Sequence, residues 1–295
     1  MKANISKKEI ESGREIIEKL SQLNPKLLPH HLQKIISGYK KFLPDISKYG
    51  LWSSKKVKNK KNKDKYDKIF LMISGIAASG KDAIREEMSR LSPNLFIKTV
   101  TGTSRQPREG EIHGKDYYFF QDSANFKKGI KNGDFLEWVQ QGDRFYGLPK
   151  ESLNQALNHP AKIICSQVEM SAWTKVEKHI SKIENIKILT LKVFVLPNMD
   201  FSEYQNWLAQ KRDDDVEARI LRTGWEIKKA PKKADFIVTN NIGKDTKNLT
   251  LTAQTIINEL SEFLDEPSFE KFDSPFNTDK KIKDIEEILK IHSSI

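Results

Sequence analysis

Gly75, Gly80 and Lys81 stand in the run Gly75-Ile-Ala-Ala-Ser-Gly-Lys81, whose spacing is G-x-x-x-x-G-K. The chemistry this spacing serves is polyphosphate binding. Glycines let successive backbone N–H groups close around phosphate oxygens, and a lysine at a helix N-terminus adds positive charge. Ser79 lies within the same run, and Asp82 follows it where a serine or threonine ordinarily meets magnesium. A carboxylate is therefore the expected metal ligand, directly or through water.

A second set, Arg105, Arg108, Glu111 and Tyr117, falls in TGTSRQPREGEIHGKDYYFF, residues 101–120. Arginine forks take phosphate bidentately, and a phenol adds another donor. Following a phosphate loop, this set suggests a second phosphate site. Glu137 interrupts the otherwise apolar run DFLEWV. Its carboxylate either accepts the paired N–H groups on one edge of a guanine or is a surface charge on an edge strand.

The elements that must position these residues are legible from periodicity. Residues 69–73, IFLMI, read as a buried strand leading into the loop, and residues 82–92 as the helix after it. Short strands are expected at 95–100 and 134–139, with a short amphipathic helix at 126–130 between them. Residues 188–196, ILTLKVFVL, form a buried strand, Pro197 opens a switch to a helix at 204–212, and residues 249–264 read as a closing helix. The fold class is α/β.

Composition supports a globular chain, with 37% apolar residues among 295. The single cysteine, Cys165, excludes an internal disulfide framework. No apolar stretch approaches a membrane span, so the expectation is a cytoplasmic protein without membrane contact. The net charge of +11 is local: residues 1–68 hold 18 Lys and Arg against 7 Asp and Glu, and residues 69–295 balance at 33 against 33. Nucleic-acid contact is thus confined, if made, to residues 1–68. Within them, 6–23 and 32–43 carry helical apolar spacing, which makes 1–54 a helical N-terminal extension. Residues 55–68, with eight lysines, read as a solvated linker. Beyond Pro267 a connector and a last amphipathic helix occupy 266–295, a net acidic tail expected to dock on the basic N-terminal segment.

Taken together, TSRQPREGEIHGKDYYF and FLEWVQQGDRFYG, joined to the phosphate loop, resemble the guanylate kinase family, P-loop enzymes that move a phosphoryl group from ATP to GMP. The resemblance runs from about Ile69 to about Asn241. It implies a P-loop kinase fold, a parallel sheet flanked by helices, spanning 69–265, with an acceptor-binding part at about 101–150 and a helical lid at about 204–226. It implies ATP and Mg2+ as cofactors and small-molecule nucleotides as partners. Thr101, Arg105, Arg108, Glu111, Tyr117 and Tyr146 match the family's acceptor site, and Glu137 matches its guanine-recognising acid. Lys81, Arg212 and Arg219 match the groups that neutralise the transferring phosphoryl, and Asn240 matches an asparagine near the adenine.

The chain departs from that pattern in places. Leu148 replaces a small hydroxyl residue, which removes a guanine contact. The strand beginning at Ile163 ends in Ser166-Gln-Val-Glu169 rather than Asp-x-Asp, so Ser166 or Glu169 must serve, with Glu169 the acceptor-site candidate. A lid arginine is missing near Leu208. Two other readings share the fold: a sugar-phosphate kinase resembling the ribose bisphosphate phosphokinases, which also carry Gly-Lys-Asp, and a non-catalytic module that binds phosphopeptides.

Overall fold

The computed structural model describes residues 51–54, 57, 66–199, 201–211, 216–240 and 246–264. The helices expected at 6–23 and 32–43, most of the lysine-rich segment and the acidic tail lie outside the described residues.

Among these residues, six strands form the main sheet in the order β1-β10-β9-β2-β8-β3. They are β1 (Leu51–Ser53), β2 (Lys68–Gly75), β3 (Phe96–Lys98), β8 (Ile163–Gln167), β9 (Ile188–Pro197) and β10 (Phe236–Asn240). All neighbours run parallel except β1, which is antiparallel to β10. From Ile69 onward every residue of β2 is buried, as a parallel strand covered on both faces requires.

Alternation along β2 sends side chains to two cores. Phe70 and Met72 join Trp173, Phe194, Leu136 and Leu148 on one face. Ile69, Leu71 and Ile73 join Ile84, Met88, Ile256 and Leu260 on the other. The second face is closed by α1 (Lys81–Leu91) and α7 (Thr246–Ser261). Because β2 pairs β8 on one side and β9 on the other, the chain leaves in opposite directions at its C-terminal end, where a ligand crevice forms in such sheets. The phosphate loop sits there.

Residues 101–149 build a separate sheet, β5-β4-β7-β6, from β4 (Thr101–Thr103), β5 (Tyr117–Phe119), β6 (Phe135–Gln141) and β7 (Arg144–Pro149). Its core is aromatic: Phe126 of α2 (Ser123–Asn132) stacks on Phe135 with ring centroids 4.4 Å apart. α3 (Lys150–Asn158) and α4 (Trp173–Ile180) flank β8 in sequence, and α5 (Phe201–Lys211) and α6 (Val216–Lys233) follow β9.

One expectation is corrected at the N-terminal side. Leu51–Ser53, assigned to a helical extension, is a strand of the main sheet, and Val57, assigned to a solvated linker, is fully buried in the core. Two apolar anchors beside a lysine run are diluted in any composition average. Among the described residues no helix is long and apolar enough to cross a membrane.

Candidate active site

A cavity of about 400 Å³ opens where the phosphate loop, the 101–149 sheet and α6 meet. Its donor side is the loop. At Gly75 a Cβ would stand 2.6 Å from the Val195 carbonyl oxygen and 2.8 Å from Ser79 Oγ, so the close approach of loop and β9 admits only glycine. Gly80 caps α1 with φ 77° and Ala78 has φ 56°, both in the left-handed region that bends the loop around an anion.

Three successive loop carbonyls are taken by side chains from distant elements. Tyr204 Oη donates to Ala77 O at 3.0 Å, Trp207 Nε1 to Ala78 O at 3.1 Å, and Asn240 Nδ2 to Ser79 O at 3.0 Å. These bonds fix the peptide planes of the loop. Asn240, expected beside an adenine, is buried, and its amide nitrogen is the donor to the loop at Ser79. Tyr204→Phe removes one donor and keeps the ring, and Trp207→Phe removes the other donor while leaving a smaller aromatic ring in place. A nucleoside triphosphate should bind each variant roughly 3- to 10-fold more weakly, with acceptor binding unchanged, as read by calorimetry.

Lys81 and Asp82 open α1 and line the cavity. The Asp82 side chain is 57% exposed; its Oδ1 accepts from Gln167 Nε2 and meets Arg85 Nη2 at 3.4 Å. Among the described residues no three His, Cys, Asp or Glu side chains are grouped to hold a metal. A single accessible carboxylate fits magnesium, which keeps several waters and combines one or two carboxylates with substrate phosphates.

On the acceptor side, the Arg105 guanidinium is buried and gripped by both oxygens of Glu111 at 2.6 Å each. Glu111 also accepts the Arg108 N–H at 2.8 Å. Arg105's hydrogen bonds hold the Glu111 carboxyl below the usual range, so the pair stays ionised. Glu111 is thus the brace of the arginine. Arg105 lies over the Tyr117 ring at 4.9 Å, and Tyr146 meets Tyr117 edge-on at 6.5 Å. Burial pushes the Tyr117 phenol up, which keeps it a hydrogen-bond donor. Thr101 and Arg108 complete this wall.

Glu137 is 3% exposed, and its Oε2 has no partner. It is therefore no surface charge. Burial, with the nearby Glu169 adding to it, pushes its carboxyl up to about 8. Leu148, its cross-strand partner in the β6–β7 register, is fully buried in the main core. The position that the resemblance gives to a hydroxyl is thus a dry neighbour of the carboxyl.

Of the two candidates at the end of β8, Ser166 is buried and accepts from Thr99 Oγ1 at 2.7 Å, whereas Glu169 lines the cavity. Glu169 is paired with Arg222, whose Nε also reaches Glu226 Oε1 at 3.0 Å. Burial pushes the Glu226 carboxyl up against the opposing pull of Arg222. Arg212 lies outside the described residues. Arg219 falls within α6, and its side chain is likewise outside them.

Gln167, Arg85, Arg222 and Glu226 line the cavity without having been singled out as site residues. Gln167 had a signal: it continues the face of Ile163 and Cys165, which lie in the core that α1 covers, so alternation aims it at Asp82. Among the described residues, the buried side-chain polar atoms without a partner are Ser79 Oγ, Arg85 Nε, Arg105 Nε and Glu137 Oε2. Each unpaired buried group costs roughly 1–3 kcal/mol. Three of the four belong to Arg85, Arg105 and Glu137, which line the cavity together, and that points to a ligand that pairs them.

The guanylate kinase family model matches residues 68–255, more than half of the chain. A guanylate kinase of Wolbachia pipientis wMel is 29% identical over 211 residues, covering 70% of this chain and 98% of that protein. One from Onion yellows phytoplasma (strain OY-M) is 31% identical over 179 residues, covering 59% and 78% respectively. A solved guanylate kinase structure from Anaplasma phagocytophilum is 20% identical with a TM-score of 0.46, covering 70% of this chain and 90% of that one.

Proposed function

Because this chain belongs to the guanylate kinase family, we propose that it transfers the terminal phosphoryl group of ATP to GMP. The observation that carries this reading is Glu137, a buried carboxyl with an unpartnered oxygen. It stands in a cavity whose other lining includes Lys81, Arg85, Arg105 and Arg108. Cations suit phosphates, and a buried carboxylate with an unpartnered oxygen suits a base edge that offers N–H donors.

In this reading the loop of Gly75, Ser79, Gly80 and Lys81 holds the polyphosphate, with Asp82 as the carboxylate for magnesium. Bound with the polyphosphate, magnesium supplies charge neutralisation at the phosphate oxygens. Arg105, Arg108, Tyr117 and Tyr146 seat the acceptor phosphate, Glu111 holds Arg105 rigid, and Glu137 accepts from guanine. Lys81 lines the cavity, and it is assigned, with Arg212 and Arg219 by their match to the family, to neutralise the charge that develops on the moving phosphoryl group. Phosphoryl transfer requires little covalent chemistry of the protein, so positioning and electrostatics are the whole of its contribution.

The pairing of β1 with β10 supports drawing the catalytic domain from Leu51 rather than Ile69. The acceptor-binding part remains at about 101–150 and the lid at about 204–226, with terminal extensions on both sides.

Calorimetry tests the reading. ATP with magnesium and GMP should each bind at one site per chain, and neither should displace the other. A phosphopeptide-binding module would bind no ATP, and that result would overturn the proposal.

A further inference from the structure

Arg85 lies one helical turn after Lys81 on α1, so the two side chains share a face. It is flanked in the sequence by Ile84 and, three residues on, by Met88, both fully buried, and is itself only 6% exposed. A helix packed this way is more stable with an apolar residue than with a guanidinium that lacks full partners. Arg85 does lack them: Nη2 reaches Asp82 Oδ1 at 3.4 Å, long for a hydrogen bond, and Nε has no partner. Nothing in the packing of α1 accounts for the charge.

The cavity does account for it. Arg85 lines the same space as Tyr117 and Arg105, and the Tyr117 phenol lies within electrostatic reach of both guanidinium groups. Arg105 approaches that ring from the small sheet, whereas Arg85 comes from the helix that opens at the donor loop. The unpartnered Nε of Arg105 is the same kind of vacancy on the other wall. A phosphate monoester between the two walls would meet both guanidinium groups.

We propose that Arg85 is a ligand of the acceptor's phosphate monoester, a guanidinium supplied from the donor side of the cavity in addition to Arg105 and Arg108. This rests on the reading above that a nucleoside monophosphate lies along the wall from Tyr117 to Glu137. Asp82 then has a second role, holding Arg85 until the phosphate arrives. Because Arg85 and Lys81 share a helix face, the acceptor and donor phosphates are referenced to one rigid element.

Arg85→Met keeps the bulk and removes the charge, and Arg85→Lys keeps the charge without the fork. For Arg85→Met, KM for GMP should rise by about 10- to 100-fold, with ATP affinity within twofold and a melting temperature equal to or above that of the unmodified protein. Arg85→Lys should recover part of the loss. Unchanged GMP affinity would overturn the proposal, as would a joint fall of ATP affinity, GMP affinity and melting temperature, since that pattern marks a structural residue. Inorganic phosphate, titrated with a non-hydrolysable ATP analogue filling the donor loop, separates this inference from the choice of acceptor. If GMP does not bind the unmodified protein, the proposed function fails. Weaker phosphate binding by Arg85→Met then still supports Arg85 as a phosphate ligand, and equal binding overturns it.

Discussion

Glu137→Gln is expected to lower kcat/KM for GMP by about 10³-fold and, at the same time, to raise the melting temperature. Both effects follow from one carboxyl that is 3% exposed with an unpartnered Oε2. Guanine would present two N–H donors to it; the amide of glutamine accepts one and sets an N–H against the other, in a site too dry for water to relieve the clash. The pH dependence gives the residue its own signature. Burial pushes the carboxyl up to about 8, and only the ionised form can accept both donors. GMP affinity should therefore increase between pH 7 and 8, level off above that, and be flat across this window in Glu137→Gln, with a proton released on binding at pH 7. For stability the sign is opposite. A carboxyl whose folded value lies above its ordinary 4.5 favours the folded state while it is protonated and costs stability progressively as pH climbs from 4.5 to 8. The melting temperature of the unmodified protein should fall relative to that of the variant across this window. A variant that loses stability in parallel with activity would mark Glu137 as structural.

Lys81→Met should reduce kcat by about 10³-fold, the scale on which single preorganised charges act at a transition state. Lys81 opens α1 at the end of the glycine loop and faces the cavity. Methionine retains the aliphatic stem and removes the charge. Because charge on the transferring group and the leaving oxygen grows toward the transition state, kcat should fall far more than KM for ATP rises. Single-turnover rates with calorimetric ATP affinity separate the two. A rise in KM with kcat preserved would make Lys81 a ground-state anchor only.

The parts of this site that the sequence reveals are those written in local spacing. The loop from Gly75 to Lys81 follows an apolar strand, and Arg105, Arg108 and Tyr117 lie within one short stretch of sequence, so a few nearby residues carry each signal. What the sequence conceals is pairing across the chain. Tyr204 and Trp207 read as ordinary aromatic positions of a helix, yet they hold loop carbonyls 127 and 129 residues earlier. Glu169 reads as an acceptor ligand, and its partner Arg222 lies 53 residues on. Asp82 departs from the usual loop in isolation; Gln167, 85 residues away, is the other half of that departure. Glu137 shows the same limit in another form. Its residue type allowed two readings, and only burial against Leu148 on the neighbouring strand decides between them. Leu51–Ser53 escaped because three residues carry no periodicity; the edge of β10 determines their conformation.

Transfer to a guanine nucleotide is the central claim, and a coupled assay with ATP and magnesium across GMP, dGMP, AMP and ribose 1,5-bisphosphate tests it most directly. The site predicts turnover of GMP well above that of AMP and of the sugar bisphosphate, because only a guanine offers Glu137 its pair of donors. Absence of turnover with both GMP and dGMP, whatever the activity toward the other two, would contradict it.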